Sequence, residues 1–159
     1  MSQNRIYRGR RISDEAGTTL LELIVACSIL IVLSTAALPI ARYSILHRKE
    51  AELRRELREM RDAIDRYKDA ADRQAFQIKV GSEGYPPDLD TLVTGVDVGG
   101  KKVRFLRKIP TDPMTNNTDW GLRSMQDDPT SDSWGGQNVF DVFTKARGTA
   151  LDGTEYKDW

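Results

Sequence analysis

An uncharged apolar run near the amino terminus constrains this chain more than any other feature. The run extends from Leu23 to Ile40 and reads LIVACSILIVLSTAALPI, eighteen residues without a charged side chain. A helix rises about 1.5 Å per residue, so about 20 apolar residues cross a hydrocarbon layer about 30 Å thick. The segment 18–41 supplies that length, and we expect it to form a transmembrane helix.

An apolar run of this length can also be a buried core helix or part of a secretory signal. A core helix needs apolar cover on every side, and the later residues, rich in charge, offer that cover poorly. A cleaved secretory signal ends in small residues after its apolar part, and the segment from Ser34 to Pro39 fits that description. The secretory alternative therefore stays open on the sequence.

The residues before the run form a short charged leader with a carboxylate at its junction with the apolar segment. Glu22 stands at the mouth of the predicted membrane helix, where an ionised group is costly unless a cation meets it. The leader itself combines basic residues with an acidic pair and a terminal glycine: Arg5, Arg8, Arg10, Arg11, Asp14, Glu15 and Gly17.

The sequence GTTLLE at 17–22, followed by an apolar helix, resembles the class III signal of type IV pilins and type II secretion pseudopilins. In these proteins a prepilin peptidase cuts after the glycine on the cytoplasmic side and methylates the new amine. The resemblance implies cleavage between Gly17 and Thr18, N-methylation of Thr18, and a leader spanning 1–17. It also implies filament-assembly roles for Glu22 and for Pro39, which lies where these families have a helix-kinking proline.

The chain departs from the usual pattern at two positions: Thr18 replaces Phe or Met, and Ala16 replaces Lys or Arg. Cleavage would leave an ammonium on Thr18 at nearly the membrane depth of the Glu22 carboxylate. A subunit entering a filament would then set its amine against a neighbour's carboxylate. Leaving one partner of a buried pair alone costs about 3–5 kcal/mol, so such a pair fixes register. The alternative is an ordinary interfacial glutamate among lipid headgroups.

The orientation of the span is taken from the leader motif. Basic residues lie in the leader, but Arg42, His47, Arg48 and Lys49 follow the span closely. The count of basic residues on the two sides therefore does not decide the orientation of the span. The motif places the amino terminus in the cytoplasm and the head in the periplasm, as in a single-pass protein of the bacterial inner membrane.

The segment 42–79 is predicted to continue the helix with one apolar face, so that a single helix extends from about Thr18 to Ile78. It contains neither proline nor glycine. Opposite charges four residues apart suggest pairs along the helix, each contributing a few tenths of a kcal/mol: Glu50–Arg54, Arg58–Asp62, Arg61–Asp65, Asp62–Arg66 and Asp69–Arg73. Apolar residues recur mostly three and four apart, which we call the apolar stripe: Leu46, Leu53, Leu57, Met60, Ile64, Tyr67 and Ala71.

The remaining residues, 80–159, are predicted to form a globular head. Asp88 is a plausible cap for a short helix over 88–93, Gly99-Gly100 suggests a turn, and the alternation over 139–144 predicts a strand. The sequence YPPDL at 85–89 with Leu92, the segment 105–113 and the sequence FDVFT at 140–144 resemble the major, G-type pseudopilin of type II secretion. The resemblance implies an α+β, pilin-like fold: a long amino-terminal helix, half transmembrane and half amphipathic, packed on a small antiparallel sheet of about three strands with a long loop.

Members of that group often bind calcium in their carboxyl-terminal loop. Asp152 and Asp158 are the candidate metal ligands here, as they supply hard oxygen atoms. Arg147 stands shortly after the last predicted strand, where the group usually has an aspartate, and would repel a cation. The alternative is that Asp152 starts a turn before Gly153.

Composition excludes several classes of function. Cys27 is the only cysteine and His47 the only histidine, which removes Cys-His dyads, internal disulfides and two-histidine zinc sites. Equal numbers of basic and acidic residues argue against a nucleic-acid partner.

We therefore expect a structural subunit and not an enzyme: a pseudopilin that polymerises into a periplasmic filament for type II protein secretion. The resemblance implies as partners further copies of the chain, other pseudopilins, prepilin peptidase, an inner-membrane assembly platform and membrane lipid. A type IV pilin for adhesion, motility or DNA uptake is the near alternative. A membrane-anchored periplasmic domain that never polymerises is the more distant one.

Overall fold

The structure, a computed structural model, describes residues 19–159, apart from the side chains of 36–41. The chain divides into two compact units, Met1–Ala41 and Arg42–Trp159. The predicted leader, its cleavage site and the methylated residue lie outside the described residues.

Helix α1 extends over Leu20–Asp72. In the second unit it buries the predicted apolar stripe: Leu53, Leu57, Met60 and Ile64 are at most 1% exposed, and Leu46 is half-buried. Tyr67 and Ala71 are buried as well. The helical spacing of these residues therefore predicted the packing face of 42–72 correctly.

The carboxyl end of α1 differs from the prediction, because the helix stops at Asp72 and does not reach residue 79. Gln74 has a φ of 55°, and the N–H of Ala75 donates to the carbonyl of Ala70 while that of Gln74 donates to Ala71. This pair of hydrogen bonds around a left-handed residue is the Schellman ending of a helix. The usual sequence signal is a glycine at that position, which is why the end was missed.

Helix α2, Leu89–Thr94, begins where the sequence predicted. The Asp88 side chain accepts hydrogen bonds from the backbone N–H and the hydroxyl of Thr91, both at 2.7 Å. Leu92 is fully buried, and its carbonyl accepts the N–H groups of both Phe105 and Leu106. The short helix thus fixes the chain that follows the first hairpin.

Strands β1, Val96–Val98, and β2, Lys101–Val103, form an antiparallel hairpin around the predicted Gly99-Gly100 turn. Both glycines have positive φ, 59° and 84°, as a two-residue turn matched to the strand twist requires. The Asp97 side chain closes the turn by accepting the Gly100 N–H at 2.8 Å.

Strands β3, Gly121–Arg123, and β4, Asp141–Phe143, form a second antiparallel pair. The expected α+β class with a small antiparallel β part is confirmed, but the strands of the described residues form two separate two-stranded sheets and not one sheet of about three strands. Two contacts draw the chain away from β2 before β3 begins: the Leu92 carbonyl holds residues 105–106, and the Trp120 indole donates to the Pro110 carbonyl at 2.9 Å.

The core joins the apolar stripe of α1 to side chains from several parts of the head. A single cluster of buried residues contains stripe residues together with α2, the 105–120 segment, β4 and the carboxyl-terminal segment. The head's contributions include Leu89, Leu92, Leu106, Trp120, Val139, Val142, Ala150 and Tyr156.

Asp112 organises the long segment between the two sheets. Its side chain is fully buried, and it accepts hydrogen bonds from the Met114 N–H at 2.7 Å and from the Thr144 hydroxyl that follows β4. The Thr144 hydroxyl in turn accepts the Ala146 N–H at 3.0 Å. One carboxylate therefore ties the loop to the end of β4.

We predict that Asp112→Ala destabilises the head by about 2–4 kcal/mol, because the buried Thr144 hydroxyl and the part-buried Met114 N–H lose their acceptor. The measurement is the free energy of unfolding from denaturant titration of the full chain in detergent. Asp119→Ala is the matched control, since Asp119 is exposed and pairs on the surface with Lys145. Equal stability losses in the two variants would contradict the assigned role of Asp112.

Candidate functional site

The first turn of α1 contains two residues of the motif singled out in the sequence. Thr19 precedes the helix, and its hydroxyl oxygen accepts the backbone N–H of Glu22 at 3.2 Å. Thr19 and Glu22 have the spacing of a capping box, in which the third helical residue is an acid or its amide. Glu22 is exposed and lies where the helix dipole favours a negative charge.

Apart from Glu22, the segment 20–35 is apolar around the whole helix, and the described part of its unit leaves these side chains uncovered. Leu20 is 76% exposed and Val32 67% exposed. The other large apolar residues of the segment are exposed to a similar degree: Leu21, Leu23, Ile24, Val25, Ile29, Leu30, Ile31 and Leu33. A helix that is apolar on every side requires apolar surroundings.

Two hydroxyls in this segment are satisfied by the helix itself. The Ser28 hydroxyl donates to the Ile24 carbonyl and the Thr35 hydroxyl to the Val32 carbonyl, both at 2.7 Å. Such bonds let polar side chains enter apolar surroundings without unpaired donors. The hydroxyls therefore do not oppose burial of the segment.

Among the residues that the structure describes, no helix meets the length and hydropathy needed to cross a bilayer. Thr18 and the side chains of 36–41, which belong to the predicted span, lie outside this description. Pro39 has helical backbone within α1, and Gly17 lies outside the described residues. The transmembrane segment, the cleavage site and the kink stay predictions.

Asp152, one of the two candidate calcium ligands, already has its oxygens engaged. It pairs with the Arg54 guanidinium and accepts the N–H and hydroxyl of Thr154 at 3.0 and 2.6 Å. The hydrogen bonds from Thr154, with a smaller contribution from Arg54, lower the pKa of the Asp152 carboxyl to about 2. Gly153 has a φ of 88°, so Asp152 starts a turn, as the alternative interpretation held.

Asp158, the other candidate ligand, lies in a short 3-10 helix over Tyr156–Asp158, where its N–H donates to the Glu155 carbonyl. In the described part of the chain, no three His, Cys, Asp or Glu residues are grouped so that they could hold a metal ion. The contacts of Asp152 do not fit a calcium ligand. Calcium binding thus stays a prediction without support from the described geometry.

The same region contains a set of contacts that the sequence did not reveal. We use the name carboxyl-terminal clasp for the bonds from Glu50, Arg54 and Arg61 of α1 to residues 141–159. Glu50 is 6% exposed, and one of its oxygens accepts both the Leu151 N–H and the Tyr156 hydroxyl at 2.9 Å.

Both arginines of the clasp contact Trp159, and Arg61 also binds β4. Arg54 lies over the Trp159 ring, 3.9 Å from its centroid. Arg61 donates to the Asp141 carboxylate at 2.7 Å, to the Val142 carbonyl at 3.1 Å and to the main-chain oxygen of Trp159 at 2.9 Å. Guanidinium groups suit such sites because their donors form a planar fork.

The clasp replaces charge pairs that were expected along the helix. Of the five predicted pairs, all within the described residues, only Asp69–Arg73 lies within 4.0 Å. The side chains of Glu50, Arg54 and Arg61 instead bind residues of the head. Each lies three or four residues from a member of the apolar stripe, and that flanking position was the available signal.

Tyr156 is a strongly perturbed group of the clasp. Burial, and after it the hydrogen bond to Glu50, raise the pKa of the Tyr156 phenol to about 12. The ring also packs edge-on against Trp159, with 5.3 Å between ring centroids. The hydroxyl therefore keeps its proton under all ordinary conditions and serves as the donor to the buried carboxylate.

We predict that Tyr156→Phe costs about 1–3 kcal/mol of folding free energy, because the Glu50 carboxylate loses a donor in a buried site. Ultraviolet titration of the variant should also lose the phenol that ionises near pH 12. Tyr43→Phe is the control, since Tyr43 is 61% exposed. An unchanged free energy of unfolding in Tyr156→Phe would show that the bond contributes nothing.

Comparison of the chain with protein-family models, with curated proteins and with solved structures gives no match. The resemblance to pilin-like proteins therefore rests on the residues quoted above.

Proposed function

We propose that this chain is a structural subunit of a pilin-like filament, a pseudopilin of type II protein secretion, which polymerises through its amino-terminal helix. The observation that carries the proposal is the uncovered apolar helix that opens with the Thr19–Glu22 turn. The subunit passes from lipid to a bundle of copies of itself, and both environments cover such a helix.

The exposed apolar side chains of 20–35 are unfavourable in water. Burying one such side chain stabilises by about 1.5–3 kcal/mol, so a helix with ten of them is not stable in water alone. Lipid covers the segment before assembly. Helices of neighbouring subunits cover it afterwards, since they present the same apolar surface.

Glu22 supplies specificity in this proposal. The contact of Glu22 that the structure describes uses its backbone N–H, with the Thr19 hydroxyl as acceptor. We assign the carboxylate to the amine that leader cleavage creates on a neighbouring subunit. An ion pair between subunits in apolar surroundings favours one register, because every other register leaves a charge unpaired.

The head gives each subunit a defined periplasmic body. Its core closes on the apolar stripe of α1, so the packing face of 42–72 is already occupied within the subunit. In this proposal the outer faces of the head contact other pseudopilins and cargo, while prepilin peptidase and the assembly platform act on the amino-terminal segment.

The first prediction of this proposal concerns the mature amino terminus. When the chain is expressed with a prepilin peptidase, the isolated protein should begin at N-methylated Thr18, which intact-mass and peptide mass spectrometry detect. A protein that still begins at Met1 would contradict processing. A protein that begins after the apolar segment would show a cleaved secretory signal instead.

The second prediction separates the charge of Glu22 from its place in the capping turn. Glu22→Gln keeps a residue that a capping box accepts, whereas Glu22→Ala removes both properties. Both variants should be inserted and cleaved, yet assemble more than about a hundredfold less, as an unpaired charge costs about 3 kcal/mol or more. The amount of sheared filament on immunoblots is the readout.

Glu83→Gln is the matched control, because Glu83 is an exposed glutamate in the loop after α1. It should assemble as the unmodified chain does. Normal filaments from Glu22→Gln together with a defect in Glu22→Ala would show that Glu22 acts as a helix cap, which would overturn the pairing.

A further inference from the structure

The carboxyl-terminal segment 148–159 closes on itself before it meets α1. The Ala150 N–H donates to the Thr154 carbonyl at 2.8 Å, and the Tyr156 N–H donates to the Gly148 carbonyl at 3.2 Å. Thr149 and Glu155 face each other as an antiparallel bridge. The segment is thus a small loop with little regular structure, and its position depends on what holds it from outside.

The Asp152 carboxylate of this loop already has a cationic partner, the guanidinium of Arg54 on α1. Arg54 pairs with Asp152 inside the 150–154 turn and stacks on Trp159, whose indole donates to the Thr154 hydroxyl at 2.6 Å. The guanidinium therefore contacts both the 150–154 turn and Trp159. A divalent cation at Asp152 would have to displace it.

The surroundings of the loop also oppose a metal ion. A cavity of about 560 Å³ borders residues 143–149, and its lining includes three basic residues, Lys145, Arg147 and Lys157, against two acidic ones, Asp132 and Glu155. Lys157 lies 3.1 Å from Glu155, which leaves that carboxylate partly neutralised. The local charge balance favours anionic over cationic occupants.

We infer that the Arg54 guanidinium holds the carboxyl-terminal segment of this chain on α1 in the manner of a built-in cation, and that closure of the segment is independent of calcium. Glu50 and Arg61 support the closure from either side by binding Leu151, Tyr156 and Trp159. This closure lies within the head and does not depend on filament assembly.

Hydrogen exchange of the full chain in detergent, followed by mass spectrometry of peptides covering 148–159, tests this closure. Arg54→Ala should accelerate exchange of these peptides about three- to tenfold, given the usual strength of a partly exposed ion pair plus a stacked cation. Arg54→Lys keeps the charge and loses the planar stack, so its exchange rate should lie between those of the unmodified chain and of Arg54→Ala.

Arg55→Ala is the matched control, because Arg55 is the adjacent arginine, is exposed and pairs with Glu56 instead. Its peptides over 148–159 should exchange as in the unmodified chain. Equal acceleration in Arg54→Ala and Arg55→Ala would overturn the inference. Peptides over 139–144 distinguish local opening from global unfolding, since Val142 is fully buried in the core.

The metal arm of the experiment compares exchange in excess calcium chloride with exchange in excess EDTA. The unmodified chain should give the same rates in both. Slower exchange of 148–159 in calcium would show a metal site and overturn the inference. Asp152→Asn should accelerate exchange as well, and the double variant with Arg54→Ala should exceed the larger single effect only slightly, because the residues act as one pair.

Discussion

The second unit depends on burial of one helical face. Leu53, Leu57, Met60 and Ile64 are at most 1% exposed, and α2, the 105–120 segment, β4 and the carboxyl-terminal segment contribute side chains to the cluster around them. The four strands have three residues each, too few for either sheet to be stable alone. Helix α1 therefore provides the surface on which short, irregular elements become ordered.

Sequence reasoning predicted the features that depend on local spacing or on special backbone conformations. The apolar stripe follows from helical period, the start of α2 from the side chain of Asp88, and the hairpin turn from Gly99-Gly100. Each of these signals lies within a few residues of the structure that it specifies.

The features that were missed depend on contacts between distant residues. Strand β3 has three residues, one of them Gly121, whose lack of a side chain is needed because a Cβ there would lie 2.4 Å from the Phe143 ring. In the sequence, Asp112 resembles an ordinary turn residue, and only its hydrogen bonds in the structure show its role. The clasp arginines read as partners of nearby acids until the head folds against them.

Two of the five glutamates of helix α1 have contrasting surroundings. Glu50 is buried, and its carboxylate accepts hydrogen bonds from a tyrosine hydroxyl and a backbone N–H of the same chain. Glu22 is exposed on an otherwise apolar segment, and its described contact is made by its backbone alone. A carboxylate paired within the chain stabilises the fold, and the proposed pairing would give the Glu22 carboxylate a partner on a neighbouring chain.

The contacts of Glu50 and Arg61 join residues separated by 80 to 106 positions along the chain. Contacts of such separation require closure of a long loop and form late in folding. During synthesis, α1 is therefore complete well before Leu151 and Tyr156 exist to cover its flank. The order of events on the ribosome is set accordingly: α1 is synthesised first, and its flank is covered only after residues 141–159 have been added.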